Sequence, residues 1–492
     1  MSMLSTRGAA AVSESMAILR GLAPDGGLYV PKDFPHFSME EIAALGALDY
    51  QARALAILQK FLPDFTADEL KNAIAGAYGT GFDDADIAPV RPVGDWAHAL
   101  ELWHGPTLAF KDMALQLLPH LLTLSAKKNG ETREIFILVA TSGDTGKAAL
   151  EGFHDVKGTR IIVFYPEGGV SAVQQAQMAT QTGDNVKVCA VRGNFDDAQT
   201  GVKQVFAACQ GKDLHGAMLS SANSINIGRL APQVVYYFRS YADLVKSGRI
   251  RVGDKVNYVV PTGNFGDILA GYFAKCMGLP VGRLVCASNA NDVLTEFIST
   301  GRYDRRRPFY KTTSPSMDIL VSSNLERLLF LLSRDPAYVA ELMRQLREDG
   351  VYQLSDRLLA QLKQDFSCGC CDDKGAADVI GRLWREQHYL CDPHTAVAWS
   401  VAEQLSEELH DTGAPTVVLS TASPYKFPAA VLSALGRETG ENEFFMMNEL
   451  CRISGVPIPR NLAGLEGRPV LHKDVIDKDA MLDYVLAEVL KK

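Results

Sequence analysis

Four times between residues 134 and 278 a continuous run of apolar and β-branched residues passes into a polar, glycine-rich loop and then into a helical pattern. EIFILVA leads to TSGDTG and KAALEGF, and RIIVFY leads to PEGGVS and AVQQAQMATQTG. NVKVCAV leads to RGNFD and a helix ending near Cys209, and VNYVV leads to PTGNFGD and ILAGYFAKCMG. A fifth unit, TVVLSTASPYKFPAAVLSALG, begins at Thr416. Strands without polar alternation are covered on both faces, so the repeat predicts an α/β fold with mostly parallel sheet and helices on either side. Ligands of such sheets bind in the loops beyond the carboxyl ends of the strands.

At about 150 residues per domain, the 492 residues suggest roughly three domains. Residues 1–95 read as a mainly helical N-terminal domain, with Thr66 and Glu69 spaced as a capping box. A large α/β domain is expected from 96–130 with 235–450, a smaller one from 131–234, and a C-terminal appendage from 451–492. The stretch SCGCCDDKG reads as turn-rich. A net charge of −9 leaves no domain-wide basic excess, which argues against nucleic acid as a partner. No apolar run is long enough to span a bilayer, and MSMLSTRGAAAVSES lacks a signal-peptide core. Nine scattered cysteines read as reduced thiols, so a cytoplasmic globular protein is expected.

TSGDTGK superficially resembles the end of a P-loop. That motif needs Gly where Thr141 stands and Ser or Thr where Ala148 stands, and no GxGxxG follows a strand. What remains is a loop of backbone donors and hydroxyls opening a helix, which suits a small carboxylate or phosphate. A tight strand-to-helix turn capped by Ser142 or Asp144 reads equally well. PTGNFGD is a second such loop: Gly263 and Gly266 let the backbone curl, and amides around Asn264 and Phe265 could form an anion nest.

Lys111 stands between the apolar TLAF and the helical MALQLLPHLL. Most lysines are solvated, but this one falls at a helix start, where the dipole disfavours an ammonium. Desolvation and a positive helix end both favour the neutral amine that forms a Schiff base. A lysine imine beside a phosphate cradle suggests pyridoxal phosphate, in which the cofactor is the electron sink.

Taken with STRG, GLAPDGGLYVP, HGPTLAFKD, SSANSINIGRLAPQVVYYF, SPSMDILVSSNLERLLF, DPHTAVA and STASPYKFP, these motifs resemble the fold-type II pyridoxal-phosphate enzymes, and among them the threonine synthase family. The resemblance runs nearly end to end. It implies a tryptophan synthase β-like fold of two open α/β domains with a helical N-terminal domain. It implies a lyase of threonine biosynthesis that turns O-phospho-L-homoserine and water into L-threonine and phosphate, by γ-elimination and β-addition of water. On the matching positions, Lys111 is the Schiff-base lysine and the catalytic residue. Gly263, Asn264, Phe265, Gly266 and Asp267 hold the cofactor phosphate, Thr421 faces the pyridine nitrogen, and Asp144 lies near the phenolic oxygen. Thr141, Ser142, Gly143 and Thr145 receive the substrate carboxylate. Arg229 and Lys426 are candidates for the substrate phosphate, with a structural ion pair as the alternative for each, and Lys147 is a weaker candidate. Ser423 replaces a histidine common in the family.

Two further activities share the same motifs: a phospho-lyase or dehydratase releasing 2-oxobutanoate, and a catalytically silent binding or regulatory relative. The partner expected is a small molecule, with the chain a monomer or small homo-oligomer. Cys368, Cys370, Cys371, Cys391 and His394 could be drawn as a zinc site, but the spacing lacks paired CxxC knuckles. DPH also explains itself as a helix start, with Asp392 as cap and Pro393 in the first turn. No metal is expected.

Overall fold

The computed structural model describes residues 2–141 and 143–491. Two open sheets organise the chain. The larger has the order Phe366–Cys370, Val281–Ser288, Val256–Pro261, Thr416–Ser420, Ala97–Glu101, Val90–Val93. Its first five strands are parallel and Val90–Val93 returns antiparallel at the edge. The smaller is wholly parallel, in the order Asp474–Asp477, Val186–Arg192, Thr159–Pro166, Glu134–Ala140, Ala217–Ser220. The central strands are buried nearly throughout, as their unbroken apolar sequences require.

Several elements cross the expected divisions. Val90–Val93, assigned to the N-terminal segment, pairs with Ala97–Glu101 in the larger sheet. The helix Ile227–Lys246 spans the division at 234/235 and is buried around most of its circumference, packing on Gly266–Cys276 and on the N-terminal helix Tyr50–Phe61. The C-terminal segment lies on the smaller sheet: Asp474–Asp477 is its edge strand, and Met481–Leu490 packs on Phe195–Cys209. The turn-rich SCGCC stretch is a correction. Phe366–Cys370 is the edge strand of the larger sheet, in register with Leu284–Ser288. Serine, cysteine and glycine carry little β-branched signal, yet Gly369 is needed there, since a Cβ would stand 2.8 Å from Val401 Cγ1.

The apolar run after Lys111 is also divided. A short helix, Asp112–Leu115, is followed by Leu118–Lys128. Pro119 has no N–H for the Leu115 carbonyl, so the first helix ends before the second begins. Gly152 then packs on that carbonyl, where a Cβ would overlap the oxygen. Thr66 caps Ala67–Ala77 in a reciprocal capping box with Glu69, as its spacing predicts.

Candidate active site

The loops singled out in the sequence meet at the carboxyl ends of the two sheets. Glu134–Ala140 delivers Thr141 to Asp144, Val256–Pro261 delivers Gly263 to Asp267, and Thr416–Ser420 delivers Thr421. Lys111 comes from the strand Ala97–Glu101 through a segment laced to that last loop. Phe110 N donates to Thr421 O at 2.8 Å, Ser423 N donates to Leu108 O at 3.0 Å, and Ala109 bridges Ala422. Leu108, fully buried, holds φ at 62°, a left-handed conformation costly for leucine and maintained by these bonds.

The Lys111 side chain is 12% exposed, and its Nζ stands 4.0 Å from Asp144 Oδ2. It donates to Ser316 Oγ at 2.9 Å. Burial brings its pKa down to about 8, with Asp144 opposing the shift and the charges of Lys426 and Arg229 adding to it. Asp144 lies between two cations, since Lys426 Nζ reaches its Oδ1 at 2.7 Å. Gln174 Nε2 donates to that oxygen at 2.9 Å. Burial opposes ionisation of Asp144, but the charges of Lys426 and Lys111 and these hydrogen bonds hold its carboxyl well below the usual range.

In the TSGDTG loop Gly143 takes φ 141° and stands as N-cap of the helix Asp144–Phe153. The donors of this turn go to Thr141, whose Oγ1 accepts from Gly143 N at 3.0 Å and Gly146 N at 2.9 Å. Thr141, expected on the substrate carboxylate, is buried with its hydroxyl spent within the loop, and Thr145 is half-buried. Ser142 lies outside the described residues.

The second loop turns through Phe265 at φ 63° into the helix Gly266–Cys276. Asn264 is exposed, Gly266 half-buried and Phe265 fully buried. The loop leans on the segment 314–324, to which the sequence reading gave no role. Ser322 Oγ donates to Gly263 O at 2.7 Å, and Asn324 Nδ2 donates to Asn264 O at 2.9 Å. Arg327, buried, gives its fork to Asn324 Oδ1, Ile225 O and Tyr29 O, tying this wall to the N-terminal segment. STRG serves the same wall: Arg7 pairs with Glu326 through Nε at 2.9 Å and Nη2 at 2.8 Å, and Thr6 Oγ1 donates to the same carboxylate at 2.6 Å. Burial pushes the Asp267 carboxyl up to about 7, with the Ile268 N–H opposing.

The two candidate phosphate cations differ. Lys426 is wholly buried, with its Nζ engaged by Asp144 and by Thr107 O at 2.8 Å, so its charge is already paired within the protein. Arg229 is buried and among the described residues forms no ion pair. Its Nη1 donates to Ala222 O at 2.8 Å, its Nε has no acceptor, and burial brings its pKa down to about 10. Lys147, the weaker candidate, is bound to Glu151 and Gln181. His394 has both ring nitrogens occupied, by Asp392 Oδ1 at 2.7 Å and the Ser316 amide at 3.1 Å. Asp392 caps the helix Pro393–Gln404 as predicted.

These residues fit pyridoxal phosphate. The amine sheds its proton near pH 8, the lone Arg229 Nε and a surplus of buried cations await an anion, and a glycine-rich turn opens a helix beside them. Residues 98–422 match the family described as "Pyridoxal-phosphate dependent enzyme". Fold and site thus define a pyridoxal-phosphate-dependent enzyme of fold type II. Residues 2–78 match "Threonine synthase N terminus" and 395–485 match "Threonine synthase, C-terminal". A threonine synthase of Pseudomonas aeruginosa is 43% identical over 88% of this chain and 90% of its own length. The pyridoxal-phosphate-bound threonine synthase structure from Brucella melitensis is 40% identical, with a TM-score of 0.89 over 99% of this chain and 98% of that one. The human "Threonine synthase-like 1" is 41% identical over 88% of this chain, which spans 60% of that longer protein. The chain belongs to the threonine synthase family.

Proposed function

We propose that the chain converts O-phospho-L-homoserine and water to L-threonine and phosphate, with Lys111 as both cofactor anchor and proton carrier. The observation that carries this reading is the Lys111 amine, buried at the meeting point of the two sheets and titrating near pH 8 between a neutral hydroxyl and one carboxylate. Pyridoxal phosphate, when bound, supplies the sink for the electrons left at the substrate carbon. Lys111 would hold it by a Schiff base, the amides of Gly263 to Asp267 would take its phosphate, and Thr421 and Asp144 would face its ring.

A base placed on one face of the substrate serves every proton step. Lys111 Nζ removes the Cα proton, passes it to the phosphate ester and, neutral again, takes one from Cβ as phosphate leaves Cγ. It returns that proton at Cγ, takes one from the water that adds at Cβ, and delivers it at Cα. Such general acid–base help is worth roughly a hundred- to ten-thousand-fold. Asp144 keeps a negative charge beside this amine without ever being the stronger base, because Lys426 holds it ionised. Arg229 is the cation best supported for the substrate phosphate, since among the described residues its Nε has no acceptor and its guanidinium no carboxylate partner. The substrate carboxylate is taken by the TSGDTG loop through the Thr145 amide, since the Gly143 amide and the Thr141 hydroxyl bind each other. We also read the chain as cytoplasmic, alone or as a small homo-oligomer.

Incubation with O-phospho-L-homoserine and pyridoxal phosphate is expected to release threonine and inorganic phosphate in equal amounts. Release of 2-oxobutanoate and ammonia as the main products would overturn the synthase reading.

A further inference from the structure

Ser316 was given no role by the sequence, yet its hydroxyl is the hydrogen-bond partner of the Lys111 amine. It sits in the single turn Pro315–Met317, and both sides of that turn are fixed. Its backbone N–H donates to His394 Nε2 at 3.1 Å. Because that nitrogen accepts, the hydrogen-bond pattern assigns the ring proton to Nδ1, which donates to Asp392 Oδ1 at 2.7 Å. Asp392, wholly buried, also accepts from the amides of His394 and Thr395 and from the Thr395 hydroxyl. The His394 ring packs edge-on against Phe427. On the other side Gly263 is pressed to the Ser316 carbonyl, where a Cβ would come within 2.5 Å of the oxygen.

We propose that Ser316 is a positioning residue for Lys111, and that Asp392 and His394 act through the Ser316 amide to hold its hydroxyl in place. The inference rests on the reading of Lys111 as the lysine that carries the cofactor and then moves protons. A neutral amine that gives one N–H to Ser316 Oγ has its lone pair fixed in direction, where a free four-carbon stem would sweep a cone. Proton transfer is steeply sensitive to such placement, and about 1 Å of error costs about a hundredfold. A hydroxyl suits this task better than a second carboxylate, since it orients the amine without adding a negative charge that would keep it protonated. Asp144, Lys426, Arg229 and Asp267 are the charges already facing Lys111, and the Phe110 ring lies 5.7 Å from the ammonium.

The test is Ser316→Ala in the loaded enzyme and in the apoprotein. Borohydride reduction followed by peptide mapping first checks that the cofactor is on Lys111; a label found elsewhere overturns the underlying reading. With the label on Lys111, kcat is expected to fall about 10- to 100-fold with KM changed by less than about threefold. In the apoprotein, pH-dependent labelling of Lys111 by an amine reagent should give a lower apparent pKa in Ser316→Ala, because the ammonium loses an acceptor. Ser316→Thr, which keeps a hydroxyl, should recover most of both effects. His394→Gln should lower kcat less than Ser316→Ala and add little to it in the double variant. Unchanged kcat and unchanged Lys111 labelling in Ser316→Ala would overturn the proposal. Fully additive losses from His394→Gln would remove His394 and Asp392 from it.

Discussion

Lys426 shows what a buried charge costs when its partner is removed. Its ammonium is 0% exposed and touches Asp144 and the Thr107 carbonyl, so each charge depends on the other for solvation. Lys426→Met should leave Asp144 unpaired on that side and lower stability by about 3–5 kcal/mol, measured by denaturant unfolding near pH 8. The pH dependence carries a sign. Asp144 titrates below its ordinary value, so its contribution is present above that value and is lost as pH falls through the folded one. The variant's deficit should therefore shrink in acid. His104 runs the other way. Burial opposes its charge, but Asp83 at 2.7 Å and Glu101 at 2.9 Å outweigh it and raise the imidazole to about 9. Its contribution, on the order of 3 kcal/mol, is complete below pH of about 6.5 and lost as pH rises through about 9. In His104→Asn the unfolding free energy should lose that slope between pH 7 and 9.5; an unchanged slope would refute the assignment. The sequence singled out Lys111 because its flanks are local, and it left Lys426 between substrate cation and ion pair because a pair with Asp144 across 282 residues of chain leaves no local trace.

The elements were legible where their signal is repetitive. Strands such as Ile135–Val139 and Val256–Val260 announce themselves by unbroken branched apolar residues, and the loops after them could be placed from strand direction alone. Phe366–Cys370 was not, because an edge strand of small residues is specified by its neighbour in place of its own composition. Nor was the interruption after Leu115, where a helical pattern passes through a proline and the carbonyl it leaves free meets Gly152 on another helix. That contact yields a prediction: Gly152→Ala should drive the helix Asp144–Phe153 away from Asp112–Leu115, the helix that Lys111 begins. A cost of about 1–3 kcal/mol and a weaker hold on pyridoxal phosphate are expected, read by thermal melting and by cofactor titration of the apoprotein. A melting point equal to wild type would show that the helices have room to spare.

On the scale of the whole chain, the N-terminal segment acts as a brace for a loop more than two hundred residues away. Arg7 and Thr6 hold Glu326, Arg327 binds Tyr29 O and Asn324, and Asn324 holds the Asn264 carbonyl in the glycine-rich turn. Glu326→Ala should therefore raise the pyridoxal phosphate concentration needed for half-saturation by about three- to tenfold, at about 1–2 kcal/mol of stability. Unaltered cofactor affinity would mean that the brace serves the N-terminal segment alone. The sequence pointed to both ends of this brace as motifs but not to their contact.

The order in which strands enter the sheets has a further consequence, for synthesis on the ribosome. Val186–Arg192 pairs with Asp474–Asp477, and Ala97–Glu101 with Thr416–Ser420. Each early strand emerges with an open edge and waits while most of the remaining chain is translated at about 5–20 residues per second. Loop closure of this range makes folding slow, and an exposed apolar edge is a template for pairing with another nascent chain. A polypeptide released before Thr416 would carry Lys111 and both glycine loops yet hold two unsealed sheets, so yield in the cell should depend on chaperone supply more steeply than the stability of the finished protein would suggest.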